Sequence, residues 1–308
     1  MPDSRPGQQR WSGRSPVGRI AYVNGRYLRH DLARVHVEDR GLQFADAIYE
    51  VFGVFGGQIF DEEEHLDRLE RSLKEISLAM PMSRAALKLV LRELARRNRV
   101  REGLIYLQAT RGTVRRDHAI PDAGPRATLI LTARAADAAG VEQRRAAGIS
   151  VVTRPDERWA RCDIKSTGLL PNVLAKTAAR GQGAYEAWLI DKEGMVTEGS
   201  STTAWIVDRE GHLVTRDLDR AVLPGVTRRV LAEVAEGAQI GIVERRFTPS
   251  EAMEAREAFI TAATIGALPV VRLDGRPIAD GKPGPVARRL QELYEHAAAL
   301  KAGTPGQH

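Results

Sequence analysis

RCDIKSTGLLPNVLAKTAARGQGAYEAWLIDKEGMVTEGSSTT, residues 161–203, joins a lysine in a Ser/Thr/Gly loop to a helix, a buried-looking strand and a second polar loop that carries a carboxylate. The spacing lets Lys165 and Glu198 meet in one pocket. A lysine held in a cleft can lose its proton and attack a carbonyl, whereas a lysine in water stays charged. The residue types alone leave Lys165 open between a catalytic amine and an exposed loop charge. They leave Glu198 open between its partner and a turn-capping acid.

Working outward, GISVVTR precedes this stretch as a strand, and YEAWLID and TAWIVD read as strands within and after it. LPGVTRRVLAEVAEG sets Pro-Gly before a helix whose first turn contains Val226 and Thr227, and such a helix start offers free backbone N–H groups to an anion. Thr248-Pro249-Ser250-Glu251 has a cap residue, proline at the first helical position and Glu three residues after the cap. EAFITAATIGALPVVRLDG adds strands around a small-residue loop, and a closing amphipathic helix is expected over 285–300.

Toward the N-terminus, RIAYVNGRY alternates and turns at Asn24-Gly25, a hairpin signal. Ile48, Val51 and Val54 lie in a strand broken at Gly56-Gly57. Leu66, Leu69, Leu73 and Ile76 repeat at helical spacing behind a run of acids, with Arg68 and Arg71 near the start. A second helix follows Ser83, and the strands GLIYLQATRG and RATLILTAR flank a basic loop, TRGTVRRDHAIPDAGPR. This first half makes a compact α+β unit. The Ala/Gly-rich residues 135–148 break the strand pattern and are expected to form a hinge.

Composition bounds the function. The hydrophobic fraction of 43% and charged fraction of 28% are those of a globular protein. The net charge of +6 arises from 46 basic against 40 acidic residues with no long basic patch, which disfavours a nucleic-acid partner. No apolar run is long enough to span a membrane. Cys162 is the single cysteine, so no intrachain disulfide forms and a reducing compartment, the cytoplasm, is expected. The Arg-, Gly-, Pro- and Ser-rich residues 1–18 read as a disordered tail, and the seven histidines show no metal-ligand spacing.

Taken together, EDRGLQFADAIYEV, EHLDRL, TRGTVRRDH, DIKSTGLLPNVLAK, GAYEAWLID, VTEGSSTT and LPGVTR resemble, in order and over nearly all of residues 19–300, the class IV (fold type IV) pyridoxal phosphate aminotransferases, nearest to their D-amino-acid branch. The resemblance implies an α+β fold with a small N-terminal α/β domain (19–136), a linker (137–146) and a larger, barrel-like C-terminal α/β domain (147–303), followed by a short tail (304–308). It implies pyridoxal 5′-phosphate as cofactor, with Lys165 as the Schiff-base residue and proton shuttle. Glu198 would face the pyridine nitrogen. Arg68, the N–H groups of Val226 and Thr227, the Thr227 hydroxyl and Thr264 would hold the phosphate, although TAAT puts Ala263 where the family carries a hydroxyl.

Tyr49 matches a tyrosine near the lysine and substrate, and Arg116 and His118 match a pair that binds the substrate α-carboxylate from a partner subunit, which implies a homodimer. Leu42 stands where relatives often carry tyrosine. The implied reaction is ping-pong amino transfer between D-amino acids and 2-oxo acids such as D-alanine and 2-oxoglutarate. Branched-chain L-aminotransferase, (R)-amine transaminase and aminodeoxychorismate lyase share the lysine and glutamate and remain alternatives.

Overall fold

The computed structural model describes residues 18–121 and 124–303, with side chains described through residue 298. The expected tail segments 1–17 and 304–308 lie outside the described residues. The first half contains β1 (Ile20–Val23), β2 (Arg26–Arg29), α1 (Arg40–Phe44), β3 (Ala47–Phe55), β4 (Gln58–Ile59), α2 (Glu62–Glu75), α3 (Arg84–Arg97), β5 (Gly103–Thr110) and β6 (Thr128–Ala135). Its strands form an antiparallel sheet in the order β2-β1-β6-β5-β3-β4. The β1–β2 hairpin turns where Asn24 and Gly25 take positive φ values of 47° and 91°.

Strand alternation decides what each face of this sheet does. Ile48, Phe52, Val54, Ile105, Leu107, Leu129 and Leu131 point to one side and bury against Leu66, Leu69 and Leu73 of α2 and Leu87, Leu91 and Leu94 of α3. The opposite face carries Tyr49, Val51, Leu104, Tyr106 and Thr132, which line a cavity. Ser83 caps α3 as expected, its hydroxyl accepting from Ala86 N at 3.3 Å.

The second half contains α4 (Ala138–Ala147), β7 (Ile149–Pro155), α5 (Leu170–Gly181), β8 (Glu186–Ile190), β9 (Val196–Gly199), β10 (Thr203–Val207), β11 (Leu213–Thr215), α6 (Val226–Gly237), β12 (Ile242–Glu244), α7 (Pro249–Glu254), β13 (Glu257–Ala262), β14 (Gly266–Leu273), β15 (Arg276–Pro277) and α8 (Pro285–Gly303). Nine strands form a mixed sheet in the order β12-β11-β10-β13-β14-β7-β8-β9, with β15 on β14. The β14–β7, β7–β8 and β11–β12 pairs are parallel. One face buries Trp188, Ile206, Ile260 and Leu268 with Phe247, and the other packs Trp205 and Phe259 under α6 and α8.

The segment expected as a linker, residues 137–146, is helical: Asp137 accepts from Gly140 N at 3.0 Å and starts α4, which ends at Gly148 with a φ of 74°. The cap and the alanines outweigh the single interior glycine. One expectation changes: Glu198 lies on strand β9 instead of a polar loop, since all four residues of VTEG are buried and Val196 and Gly199 pair with β8.

Leu91 is fully buried on α3 while Ser83 is exposed at its cap. Leu91→Ala is expected to lower the unfolding free energy by about 2–5 kcal/mol, and Ser83→Ala by about 1 kcal/mol, as read from chemical denaturation.

Candidate active site

A cavity of about 560 Å³ opens between the two sheets, lined by Lys165, Glu198, Arg68, Tyr49, Val226, Thr227 and Thr264 among others. Its covalent candidate is anchored by backbone rather than by packing. Tyr49 N donates to Lys165 O at 3.0 Å, Thr167 N donates to Ala47 O at 3.1 Å, and Ile48 bridges Ser166. Lys165 N donates to Ser72 Oγ of α2 at 3.4 Å. The loop after β7 is thereby attached to β3 and α2 of the other sheet, and Lys165 Nζ stands 4.2 Å from the Tyr49 ring centroid. No salt bridge engages this amine among the described residues.

Glu198 enters the cavity from β9, 7% exposed. Its partner is Arg158, which sequence reading did not single out: Arg158 Nη1 donates to Glu198 Oε1, and Leu223 N lies 3.3 Å from Glu198 Oε2. Arg158 is itself fixed by Asp156, at 2.9 Å from Nε and 2.7 Å from Nη2, and by the Ala221 carbonyl at 2.9 Å. Burial pushes the Glu198 carboxyl above its ordinary pKa, against the pull of Arg158, the Leu223 N–H and Lys165. Burial also works against the charge on Arg158, but the Asp156 hydrogen bonds and the Glu198 field outweigh it, so that cation is held firmly. The available sequence signal was Asp156 two residues before Arg158, a short-range pair that reads equally as surface charge.

Arg68 projects from α2, 9% exposed, and is gripped by the fully buried Glu50 of β3 at 2.7 and 2.8 Å. His65 reaches the same carboxylate at 2.9 Å. Burial disfavours the Glu50 anion, yet Arg68 and His65 more than offset this and hold its pKa well below the carboxylate range. Arg68 Nη1 also donates to Pro224 O at 3.1 Å, at the approach to α6. A guanidinium has five N–H donors, so this arrangement leaves donors for a ligand. Val226 and Thr227 form the buried first turn of α6, where the N–H groups lack intrahelical acceptors. Gly225 admits this approach: a Cβ there would lie 3.0 Å from Thr203 Oγ1. Thr264 lines the cavity beside Ala263, in the turn between β13 and β14.

A further set was not read from the sequence. Ser200, Ser201 and Thr202, which follow Glu198, point hydroxyls at the fully buried Glu186, and Asn172 of α5 holds Ser200 O at 2.8 Å. Cys162, the filler near the lysine, is a cavity residue whose thiol is pushed by burial up to about 11.

An amine, a carboxylate and an anion cradle of one arginine and one helix start occupy different walls of the cavity. This donor set fits a cofactor carrying an aldehyde, a ring nitrogen and one phosphate. Arg116 and His118 stay outside: both are exposed on the β5–β6 loop and neither lines the cavity of its own chain. Arg116 Cζ sits 4.9 Å from the Phe44 ring centroid, and the His118 ring 5.3 Å from it. Among the described residues one His/Asp/Glu group has metal-like spacing, Asp208, Glu210 and His212 on the β10–β11 turn, and it is remote from this cavity's lining.

The amino-transferase class IV family model matches residues 47–273. D-alanine aminotransferase of Listeria innocua serovar 6a is 40% identical over 273 residues, covering 88% of this chain and 93% of that relative. The D-alanine aminotransferase of Bacillus licheniformis is 36% identical over 274 residues, 89% of this chain and 95% of the relative. Among solved structures, Escherichia coli branched-chain amino acid aminotransferase superposes with a TM-score of 0.86 at 24% identity, over 91% of this chain and 95% of that one, which speaks to fold alone. A branched-chain amino acid aminotransferase from T.th., solved with pyridoxamine 5′-phosphate, has a TM-score of 0.84 at 27% identity, over 92% and 94%. The architecture is that of the fold type IV aminotransferases. By the extent of the family match and the identity to these relatives, the chain belongs to the class IV amino-transferases.

Proposed function

We propose that this protein transfers amino groups between D-amino acids and 2-oxo acids, with D-alanine and 2-oxoglutarate as a representative pair, using pyridoxal 5′-phosphate held by Lys165. The observation that carries the reading is the placing of Lys165 and Glu198 on one cavity in a chain 40% identical to a D-alanine aminotransferase. When bound, the cofactor supplies an aldehyde for the amino group and a ring that takes up electrons from the substrate Cα.

The chain's own residues then have separable tasks. Lys165 Nζ, free of any carboxylate partner, takes the proton from substrate Cα and carries it within the cavity. Glu198, paired with Arg158, would accept a hydrogen bond from the ring nitrogen and favour its protonated form. Arg68, the Val226 and Thr227 N–H groups and the Thr227 and Thr264 hydroxyls hold the phosphate, Arg68 with its aim fixed by Glu50. Tyr49 flanks the Lys165 amine and adjusts proton transfer. Arg116 and His118 reach the partner subunit's cavity in a homodimer and hold the substrate carboxylate by charge and hydrogen bonds. The protein is assigned to the cytoplasm, as the single cysteine suits.

The branched-chain reading draws support from the superposition on branched-chain enzymes, although their identity is lower than that of the D-alanine enzymes. Turnover of D-alanine with 2-oxoglutarate is expected to exceed that of L-leucine or (R)-phenylethylamine, and activity confined to L-leucine overturns the D assignment. Borohydride treatment of the yellow protein is expected to fix the cofactor on Lys165, as located by peptide mass mapping; a label on Lys176 refutes the assignment. Glu198→Gln is expected to lower kcat by about 10²-fold or more while the Lys165 label is retained.

A further inference from the structure

Helix α1, RGLQF, is too short to be stable alone, yet its sequence is strongly constrained in space. Asp39 caps it, accepting from Gly41 N at 2.9 Å and from Thr110 Oγ1 at 3.0 Å. Gly41 has no room for a side chain, since a Cβ would lie 2.5 Å from Thr110 Cγ2. Ala45 closes the helix in the left-handed region with a φ of 55°. The helix is therefore pinned to the end of β5, the strand that leads into the loop bearing Arg116 and His118.

Two α1 side chains, one turn apart, meet that loop. Arg40 is 4% exposed and its Nε donates to Asp46 at 2.8 Å. Its remaining nitrogens donate to three successive carbonyls, Asp117 O at 2.5 Å, His118 O at 3.3 Å and Ala119 O at 3.3 Å. Asp46 is also held by Arg111 at 2.7 Å, and Arg111 is tied to Ile76 O and Ser77 O. Phe44 lies on the same face as Arg40, whose Cζ is 4.9 Å from the Phe44 ring centroid. The same ring carries Arg116 at 4.9 Å and His118 at 5.3 Å. Two exposed side chains of a loop thus share one aromatic support, while a buried guanidinium holds the backbone at and beside His118.

We propose that α1 is the mount of the substrate-carboxylate loop, with Phe44 as the platform that aligns Arg116 and His118 and Arg40 as the positioning residue that fixes the loop backbone. The proposal rests on the reading of Arg116 and His118 given above. Neither Phe44 nor Arg40 lines the cavity of its own chain, and each acts through the loop. Prior alignment of a long cationic side chain lowers the ordering cost of binding an anion, and the ring adds a cation–π contact.

The test compares Phe44→Leu, Phe44→Tyr, Arg40→Lys and Arg116→Ala in the holoenzyme. Phe44→Leu and Arg40→Lys are expected to raise KM for D-alanine about five- to tenfold, with kcat within about threefold. They are expected to weaken by a similar factor the binding of acetate, a carboxylate without an amine, read from the cofactor absorption band. Phe44→Tyr, which keeps the ring, is expected to restore the parental KM, and cofactor absorption of every variant is expected to match the parent. An unchanged KM in Phe44→Leu, with KM raised in Arg116→Ala, overturns the platform and leaves the carboxylate reading intact. A KM raised as much by Phe44→Tyr as by Phe44→Leu also overturns it. An unchanged KM in Arg116→Ala removes the carboxylate reading and the platform with it.

Discussion

A buried carboxylate is stable as an anion only when a cation and hydrogen-bond donors replace the water it has lost. Glu198 meets this condition through Arg158 and the Leu223 N–H, and Arg158 meets it in turn through Asp156 and Ala221. The chain closes back on itself, because Thr197, the residue before Glu198, donates to Asp156 at 2.7 Å. The end of β7, strand β9 and the approach to α6 are thereby fixed relative to one another by one charge requirement. The same solution recurs on the opposite wall, where Glu50 sits between Arg68 and His65. In each triad one carboxylate, Asp156 or Glu50, stands behind the charged groups that line the cavity.

These two triads sit on different sheets, so their separation depends on how the sheets are joined. The joint is backbone: the main chain at Lys165 and Thr167 is hydrogen-bonded to β3 like a short added strand. Backbone pairing tolerates little drift, because each buried N–H or C=O left without a partner is costly. The lysine is consequently set between the triads by the register of β3, whose Tyr49 pairs with Lys165 through its main chain and faces its amine through its ring. An amine on an otherwise irregular loop gains the positional accuracy of a strand.

How much of this the sequence disclosed follows the range of the interactions. Period and caps are local, so α2, α3, α7 and the hairpin at Asn24-Gly25 were legible with their boundaries nearly right. Short motifs singled out Lys165, Glu198, Arg68 and the start of α6, and all of them line one cavity. Strand β9 was hidden by its composition, since Thr, Glu and Gly suggest a turn until pairing with β8 buries them. The α4 segment was hidden by Gly140, whose cost is small beside an aspartate cap. Arg158 and Glu50 were illegible for a deeper reason: their partners lie 40 and 18 residues away, and nothing local separates a buried arginine from a solvated one. Arg116 and His118 could be named from the sequence, but the support beneath them, Phe44 and Arg40, emerges only when two loops are brought together.

Two of the three lysines within residues 161–203, Lys165 and Lys176, sit in contrasting environments. Lys176, on α5, is salt-bridged at 3.1 Å to Glu186, which is wholly buried, and its amine lies over the Tyr185 ring. Glu186 in turn accepts from the Ser200, Ser201 and Thr202 hydroxyls along the cavity wall. Lys165 faces the cavity with an aromatic ring beside it, and the carboxylate that lines the cavity with it, Glu198, is already committed to Arg158. The buried pairs around the cavity therefore do more than stabilise the fold: by engaging Glu198 and Glu186, they leave the Lys165 amine without an ion-pair partner among the described residues.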